Sequence, residues 1–423
     1  MVLSPTTSFA RRIAPIVRER LDEEPVVVVQ GARTVGKSTV VRTLATSAGR
    51  VVVDLDDPET RDAVEASPSI FAGAESPVFF DEYQHVPSIL DAIKAELNRD
   101  LRAGRFVLTG STRYSSLPTA AQSLTGRLHL ITLWPLSQGE IDGAEEHFAQ
   151  QLLGDPATLV GSDASTTARE DYVERILRGG LPLAVARPSA ASRDRWFDDY
   201  VTLVVERDVA DLSRIRQREK MPRLVVRLGS QTGQVLNVAR AAAAIGIESS
   251  TAEHYVRLLE AAFVIHRLPA WGTTLRARAS SRPKIHFVDS GLAGRMLRLT
   301  ADRLAAANPQ AMTEFGHLLE TFCVGEVLKQ LSWLATRTHA GHWRTHDGDE
   351  VDLVIERDDG AVAAIEVKAG ERVRDADLRG LRKLRDSLGD RFLGGVVLQL
   401  GRRSYTIEDR LHALPVDRLW LTR

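Results

Sequence analysis

At 423 residues with a net charge of −1, the chain has room for several domains and carries no overall basic field to draw it to nucleic acid. Charged residues at 26% and hydrophobic residues at 43% exclude a disordered or membrane-embedded chain, and no apolar run approaches the ~20 residues that span a bilayer. The single cysteine, Cys323, excludes an intramolecular disulfide or a cysteine-built zinc site; with no signal-peptide core near the N-terminus, a cytoplasmic setting without membrane partners is expected.

Over the first 140 residues, short apolar runs alternate with amphipathic segments. PVVVVQGA (25–32), VVVDLDD (51–57), PVFFDE (77–82), RFVLTGS (105–111) and LHLITLW (128–134) predict strands, with helices over 36–46 and 87–102. This alternation predicts a parallel sheet wrapped by helices. The turn-rich LLGDPATLVGSDASTTARED is expected to be a loop or linker. Helical periodicity then runs to about residue 228, through RWFDDYVTLVVERDVADLSRI. Residues 233–288 predict two short helices followed by the strand-like AFVIHRL and KIHFVD. After ANPQAMTEF the pattern is helix, paired strands, helix and strands. Only seven of the 55 basic residues are lysines, spread evenly, a bias that by itself marks no binding surface.

The first chemical signal is Gly31-Ala32-Arg33-Thr34-Val35-Gly36-Lys37-Ser38, followed by Thr39. It satisfies G-x-x-x-x-G-K-[ST] between a strand and a helix, where backbone N–H groups can close around phosphates. Lys37 would reach the β and γ phosphates of ATP, and Ser38 would offer its hydroxyl to Mg²⁺. A plain helix cap after a buried strand is the simpler alternative, which the complete motif disfavours. VFFDE then supplies Asp81 for the metal and Glu82 to polarise the attacking water. In FVLTGST, Thr109 or Ser111 is placed to touch the γ-phosphate or that water, although hydroxyls at strand ends are also common turn residues.

GARTVGKST, FFDEYQHVP, LTGST, SLTGRLHLITLWPLSQGE, RGGLP and YVTLVVERDVADL together resemble the prokaryotic AAA-type ATPases that carry a C-terminal DUF4143 region. The resemblance runs over nearly the whole chain, with GARTVGKST standing where the family tends to have GPRQVGKTT. It implies a P-loop core with an additional strand, the sensor strand lying between the P-loop and Asp81 strands. An arginine directed at the γ-phosphate, from the same or a neighbouring subunit, is also expected. Arg127, in LTGRL, is the first candidate and Arg113 the second; either is equally able to make a surface salt bridge.

VLNVARAAAAIGIESSTAEHYVRLLEAAFVIHRLPAW predicts a helix from about Asn237, a turn at Gly246, and a second helix capped by Ser249 or Ser250 and ending at Ala262. With strands following, this is the winged-helix order. The second helix would present Glu253, His254, Arg257 and Glu260, a mixed face poorly suited to phosphate contacts.

The last signal lies in HWRTHDGDEVDLVIERDDGAVAAIEVKAG (342–370). Period-two alternation puts Asp352, Val354 and Glu356 on one strand face and Val351, Leu353 and Ile355 on the other. Glu366 and Lys368 project together, opposite Ile365 and Val367, across a hairpin turned at Asp358-Asp359-Gly360. An Asp followed after a hairpin by Glu-x-Lys resembles the PD-(D/E)xK nuclease core, which implies that Asp352 and Glu366 hold Mg²⁺ or Mn²⁺ and that Lys368 orients or activates water. The helical acid that the resemblance places before them is Glu320, with Glu326 the alternative; six residues apart on a helix, the two cannot face one site. A solvated hairpin face is the plain alternative. His339, His342 and His346 nearby match no zinc spacing.

The sequence thus predicts an α/β multidomain chain. Its parts are a P-loop AAA-type parallel-sheet core at 1–150, a helical subdomain at 165–230, a winged-helix unit at 231–295 and an α/β nuclease-like domain at 305–423. The expected function is Mg²⁺-dependent ATP hydrolysis coupled to nucleic-acid processing at the C-terminal site. The alternative is a nucleotide-controlled switch that binds a partner without cutting. DNA versus RNA, and assembly into a homo-oligomer, stay open.

Overall fold

A computed structural model of the chain describes residues 9–114, 124–205, 209, 217–272, 282–306 and 308–421. In its first part, β1 (Val26–Gln30), β2 (Val52–Asp54), β3 (Val78–Asp81), β4 (Phe106–Gly110) and β5 (Leu128–Thr132) form a sheet in the order β2-β3-β4-β1-β5, every pair parallel. Each of the strands expected here is present, and β4 does lie between β1 and β3. The four valines of β1 are fully buried. Val26 and Val28 pack with Phe80, Phe106 and Leu108 on one side; Val27 and Val29 pack on the other with Val40, Val41 and Leu44 of the helix Lys37–Ser47. A strand covered on both faces reads as a continuous apolar run, which is why VVVV marks the sheet's centre.

The middle of the chain is helical through Arg169–Arg178, Ala190–Leu203 and Met221–Gly229. Most of the ERDVADL segment, residues 206–208 and 210–212, lies outside the described residues. A helix pair follows, Val238–Ile245 and Ser249–Ala261, with β6 (Gln234–Val235), β7 (Ile265–Leu268) and β8 (Lys284–Phe287) in an antiparallel sheet ordered β6-β8-β7. Asn237 caps the first helix by accepting from the Arg240 N–H. The second departs from expectation, since Ser249 is already helical and Glu248 occupies the cap position without a side-chain bond.

The C-terminal sheet runs β13-β14-β12-β11-β10-β9. Its strands are β9 (Thr338–Arg344), β10 (Glu350–Arg357), β11 (Val362–Lys368), β12 (Phe392–Gln399), β13 (Tyr405–Glu408) and β14 (Leu411–Pro415). β9, β10 and β11 are antiparallel; β11 pairs parallel with β12 across the helix Arg379–Leu388. The helix Pro309–Ser332 runs through the interior, burying Phe315, Leu318, Leu319, Phe322 and Val327. One apolar core extends from Phe148 to Trp420, so the helical middle and the C-terminal sheet share it. Leu152, Leu153 and Leu159 belong to that core. The segment expected to be a linker is therefore packed at its start, because three leucines outweigh its turn residues.

The C-terminal half of the helix Pro309–Ser332 holds the end of the first sheet. Glu326 accepts from the Gln138 N–H at 2.8 Å, Lys329 donates to the Leu136 carbonyl at 3.0 Å, and Gln330 accepts from the Ala149 N–H at 3.0 Å. Among the described residues, no helix is long and apolar enough to cross a membrane.

His286 of β8 is buried, with Nδ1 3.2 Å from the Thr321 hydroxyl. Burial, reinforced by Lys284, holds its pKa well below the ordinary histidine value. The folded chain therefore keeps it neutral while the unfolded chain takes up a proton below about pH 6.5, so this contribution is complete above that pH and is lost as pH falls. Urea unfolding between pH 7 and 5 should show this histidine contributing up to about 1.4 kcal/mol of lost stability per pH unit, and His286→Phe should flatten that slope. An unchanged slope would place the acid sensitivity elsewhere.

Candidate nucleotide site and acidic cavity

The loop after β1 is built for close approach. A Cβ on Gly31 would stand 2.3 Å from the Leu133 carbonyl oxygen, and Gly36 has φ +99°, a conformation that side chains resist. Arg11 pins this loop from outside the motif, donating to the Val35 carbonyl at 2.7 Å, the Trp134 carbonyl at 2.6 Å and Glu140 at 3.1 Å. Lys37, 3% exposed, donates to the Gly31 and Ala32 carbonyls at 3.1 Å each and stands 3.7 Å from Glu82. The Tyr200 hydroxyl reaches the Arg33 carbonyl at 3.3 Å, tying the helical middle to the loop.

At the end of β3, Asp81 is buried and bonded to the hydroxyls of Thr109 and Ser38. Burial raises its pKa, and these hydroxyls oppose the rise. Glu82 sits at φ 53°, its N–H donating to Thr109 Oγ1 at 3.2 Å. Burial works against its charge, but Lys37 and the bonds from Gln84 and Ser111 hold its pKa below the usual carboxylate value. Gln84 Nε2 joins Glu82 at 2.5 Å to Ser111 at 3.1 Å. The predicted Lys37, Ser38, Asp81, Glu82 and Ser111 therefore converge, and Thr109 serves by positioning both acids. Gln84 was not among the expected residues; its signal in the sequence is an amide two residues beyond the acid pair.

Within one chain, neither arginine meets the loop. Arg127 precedes β5, whose Leu128 pairs with Val26 at the start of β1, and it donates to Asn98 at 2.7 Å. The phosphate loop lies at the other end of β1, one five-residue strand or roughly 16 Å away, beyond its reach within one chain. Arg113 lies at the correct end of β4 but is committed elsewhere. Its Nε donates to the Glu260 carbonyl at 3.0 Å, its N–H to the Ala261 carbonyl at 2.9 Å, and its guanidinium lies over the Phe263 ring.

In the C-terminal sheet, Glu320, Asp352, Glu366 and Lys368 line one cavity of about 510 Å³, together with Glu350, His317 and Arg344. The expected alternation holds for Leu353, Val354 and Ile355, which fall in alternate core clusters; a bulge against β9 between Val351 and Val354 brings Val351 into the cluster of Val354. Asp352 accepts from the Val367 N–H at 2.9 Å, and Lys368 donates to Glu366 at 2.5 Å. Glu326 is not part of this cavity; it is fully buried and paired with Lys329.

The unforeseen residue is Lys284. Its ammonium donates to Glu320 at 2.8 Å and Asp352 at 2.9 Å and pairs with Glu350. Burial opposes its charge, yet Asp352, Glu320 and Glu350 outweigh that and raise its pKa well above the ordinary value. Burial also pushes Asp352 up, but Lys284 and Lys368 bring it below the usual carboxylate value. Burial and the charge of Asp352 raise Glu366 to about 8. Among the described residues, no group of three or more His, Cys, Asp or Glu is arranged to hold a metal ion. The expected ligand set Glu320, Asp352 and Glu366 thus shares a cavity, but Glu320 and Asp352 are taken by the Lys284 ammonium while Glu366 pairs with Lys368.

Residues 23–142 match the family model of an AAA domain, residues 169–303 that of a domain of unknown function (DUF8612), and residues 315–419 that of a second (DUF4143). These matches support an AAA-type P-loop ATPase core, and with it ATP binding, followed by a DUF4143 region. Uncharacterized proteins of Mycobacterium tuberculosis and Mycobacterium bovis are each 28% identical over 415 residues, 97% of this chain and 85% of theirs. Among solved structures, a Walker-type ATPase of Pyrococcus abyssi aligns at 14% identity and TM-score 0.39, covering 71% of this chain and 100% of that one. AMPPCP-bound DnaA of Aquifex aeolicus aligns at 14% and 0.30, covering 62% and 93%.

Proposed function

We propose that this chain is a Mg²⁺-dependent ATPase whose nucleotide state governs a nuclease-like C-terminal cavity that processes DNA or RNA. The observation that carries the first half is the convergence of Lys37, Ser38, Asp81 and Glu82 beside a loop that admits no Cβ at Gly31. That cradle fits a triphosphate. Lys37 and the N–H groups of residues 31–39 would hold the phosphates, while Ser38 and Asp81 would hold Mg²⁺. Bound Mg²⁺ supplies charge neutralisation at the transferred phosphoryl group. Glu82, kept ionised beside Lys37, orients the attacking water and accepts its proton, and Gln84 and Ser111 fix that carboxylate's direction. An arginine finger from Arg127 would have to come from a neighbouring copy, making a homo-oligomer part of the proposal.

Two contact routes support coupling. The helix Pro309–Ser332 carries Glu320 at the cavity and, farther along, Glu326 and Lys329 against the end of the first sheet. Separately, Arg113 after β4 binds the end of the helix Ser249–Ala261, which leads into β7 and its partner β8, the strand of Lys284. We read that helix pair and its sheet as a winged-helix unit used for packing, because Glu253 and Glu260 are bonded to Arg267. We retain 1–150, 165–230, 231–295 and 305–423 as the functional units.

The test is Mg²⁺- or Mn²⁺-dependent cutting of single- and double-stranded DNA and RNA. Loss of cutting in Asp352→Ala and Lys368→Ala is expected; cutting that persists in both variants would sink the nuclease half. The ion pairs of Lys284 favour a second reading, a nucleotide-controlled module that binds a partner without cleaving. It expects ATP turnover in the natural chain and no effect of Asp352→Ala in any nucleic-acid assay.

A further inference from the structure

Lys284 opens β8, and its side chain is 1% exposed. An ammonium has three N–H donors, and this one meets three carboxylates, Glu320 from the long helix and Glu350 and Asp352 from β10. Those are the hard oxygen ligands that a small divalent cation takes, at about 2.0–2.6 Å, in place of hydration waters. A second, independent feature points to the same ligand class. Glu366 lines the cavity, is 7% exposed, and its Oε2 has no hydrogen-bond partner among the described residues. Lys284 satisfies three of the four acids and leaves this oxygen unused.

We propose that Lys284 is a built-in latch on the cavity: its ammonium stands in for a divalent cation at Glu320, Glu350 and Asp352, and the cavity binds a metal only when Lys284 is withdrawn or removed. The inference rests on reading Asp352 and Glu366 as metal-binding residues, and adds the condition under which they become so. The ammonium and a dication cannot occupy the cluster together, because at a few ångströms their repulsion in a buried site exceeds what either gains from sharing the carboxylates. The latch belongs to a strand of the middle region rather than to the C-terminal sheet, so movement of β8 alone would change the cavity's charge.

The experiment is Mn²⁺ binding by full-length protein without nucleotide, counted by electron paramagnetic resonance. The natural chain is expected to show no tight site. Lys284→Met is expected to gain one, at least about tenfold tighter than any site in the natural chain, and to lose it again when Asp352→Asn is added. Thermal melting should show Mn²⁺ stabilising Lys284→Met and not the natural chain. A tight site in the natural chain that disappears in Asp352→Asn overturns the latch, as does a folded Lys284→Met that binds no Mn²⁺. Should Lys284→Met fail to fold, Lys284→Gln, which keeps an N–H donor for Glu320 or Asp352 without the charge, carries the same comparison. Failure of the nuclease reading looks different: Mn²⁺-loaded Lys284→Met would bind metal and cut nothing, leaving the latch in place.

Discussion

Glu82→Gln should lower ATP turnover by about 10²- to 10⁴-fold while leaving ATP binding near that of the natural chain, whereas Lys37→Ala should lose both. The two differ because of where their charges act. Glu82 lies beside Lys37, Gln84 and Ser111, so its carboxylate is ionised and directed before any substrate arrives. An amide in place of that carboxylate would keep part of the bond network but could not take a proton. Lys37 donates to the Gly31 and Ala32 carbonyls, and those bonds must be exchanged for phosphate oxygens, so removing it strips the loop of a buried cation. Equilibrium binding of a labelled nucleotide and steady-state phosphate release check both variants. Turnover within a few-fold of normal in Glu82→Gln would move the general base to another residue.

How far the site was legible depended on whether its signal was local. The phosphate loop and its neighbouring acid are contiguous strings, and β1 declares itself because four adjacent valines are tolerable only where both faces of a strand are covered. Arg127 sat in an equally suggestive string, yet its distance from the loop is set by strand direction. A residue before a parallel strand is at the end opposite the site, a constraint that becomes visible once β5 is placed beside β1. Asp352 is legible by alternation because the bulge lies against β9, while the register with β11 that turns Asp352 toward Glu366 and Lys368 is unbroken.

The signal for Lys284 lies in the rarity of lysine. In a chain with 48 arginines and seven lysines, Lys37, Lys284 and Lys329 are buried and Lys368 half-buried, each directed at carbonyl or carboxylate oxygens. Arginine presents its donors in one flat fork, while a compact ammonium fits where three bonds must diverge from one point. The scarcity of lysine was thus informative position by position, even though its total was not.

Lys284→Met should destabilise the chain by about 3–5 kcal/mol at neutral pH, the cost of leaving buried carboxylates without their counter-charge. The deficit should depend on pH in a specific direction. With the ammonium present, Asp352 is held below the usual carboxylate value, so its share of stability is present above about pH 4 and is lost only in acid. Without it, Asp352 joins Glu320 and Glu366 as buried acids whose folded pKa values exceed the unfolded ones. Such groups bind more protons folded than unfolded, so the variant should lose stability as pH rises from about 4.5 through those values. Lowering the pH from 8 to 5 should therefore narrow the gap between Lys284→Met and the natural chain. Adding Glu320→Gln should recover part of the loss, since removing one acid removes part of the repulsion, and a double-mutant cycle would measure that coupling. A deficit below about 1 kcal/mol that is flat with pH would mean water reaches these carboxylates freely, and the ammonium would then be a solvated neighbour rather than the charge around which the cavity is organised.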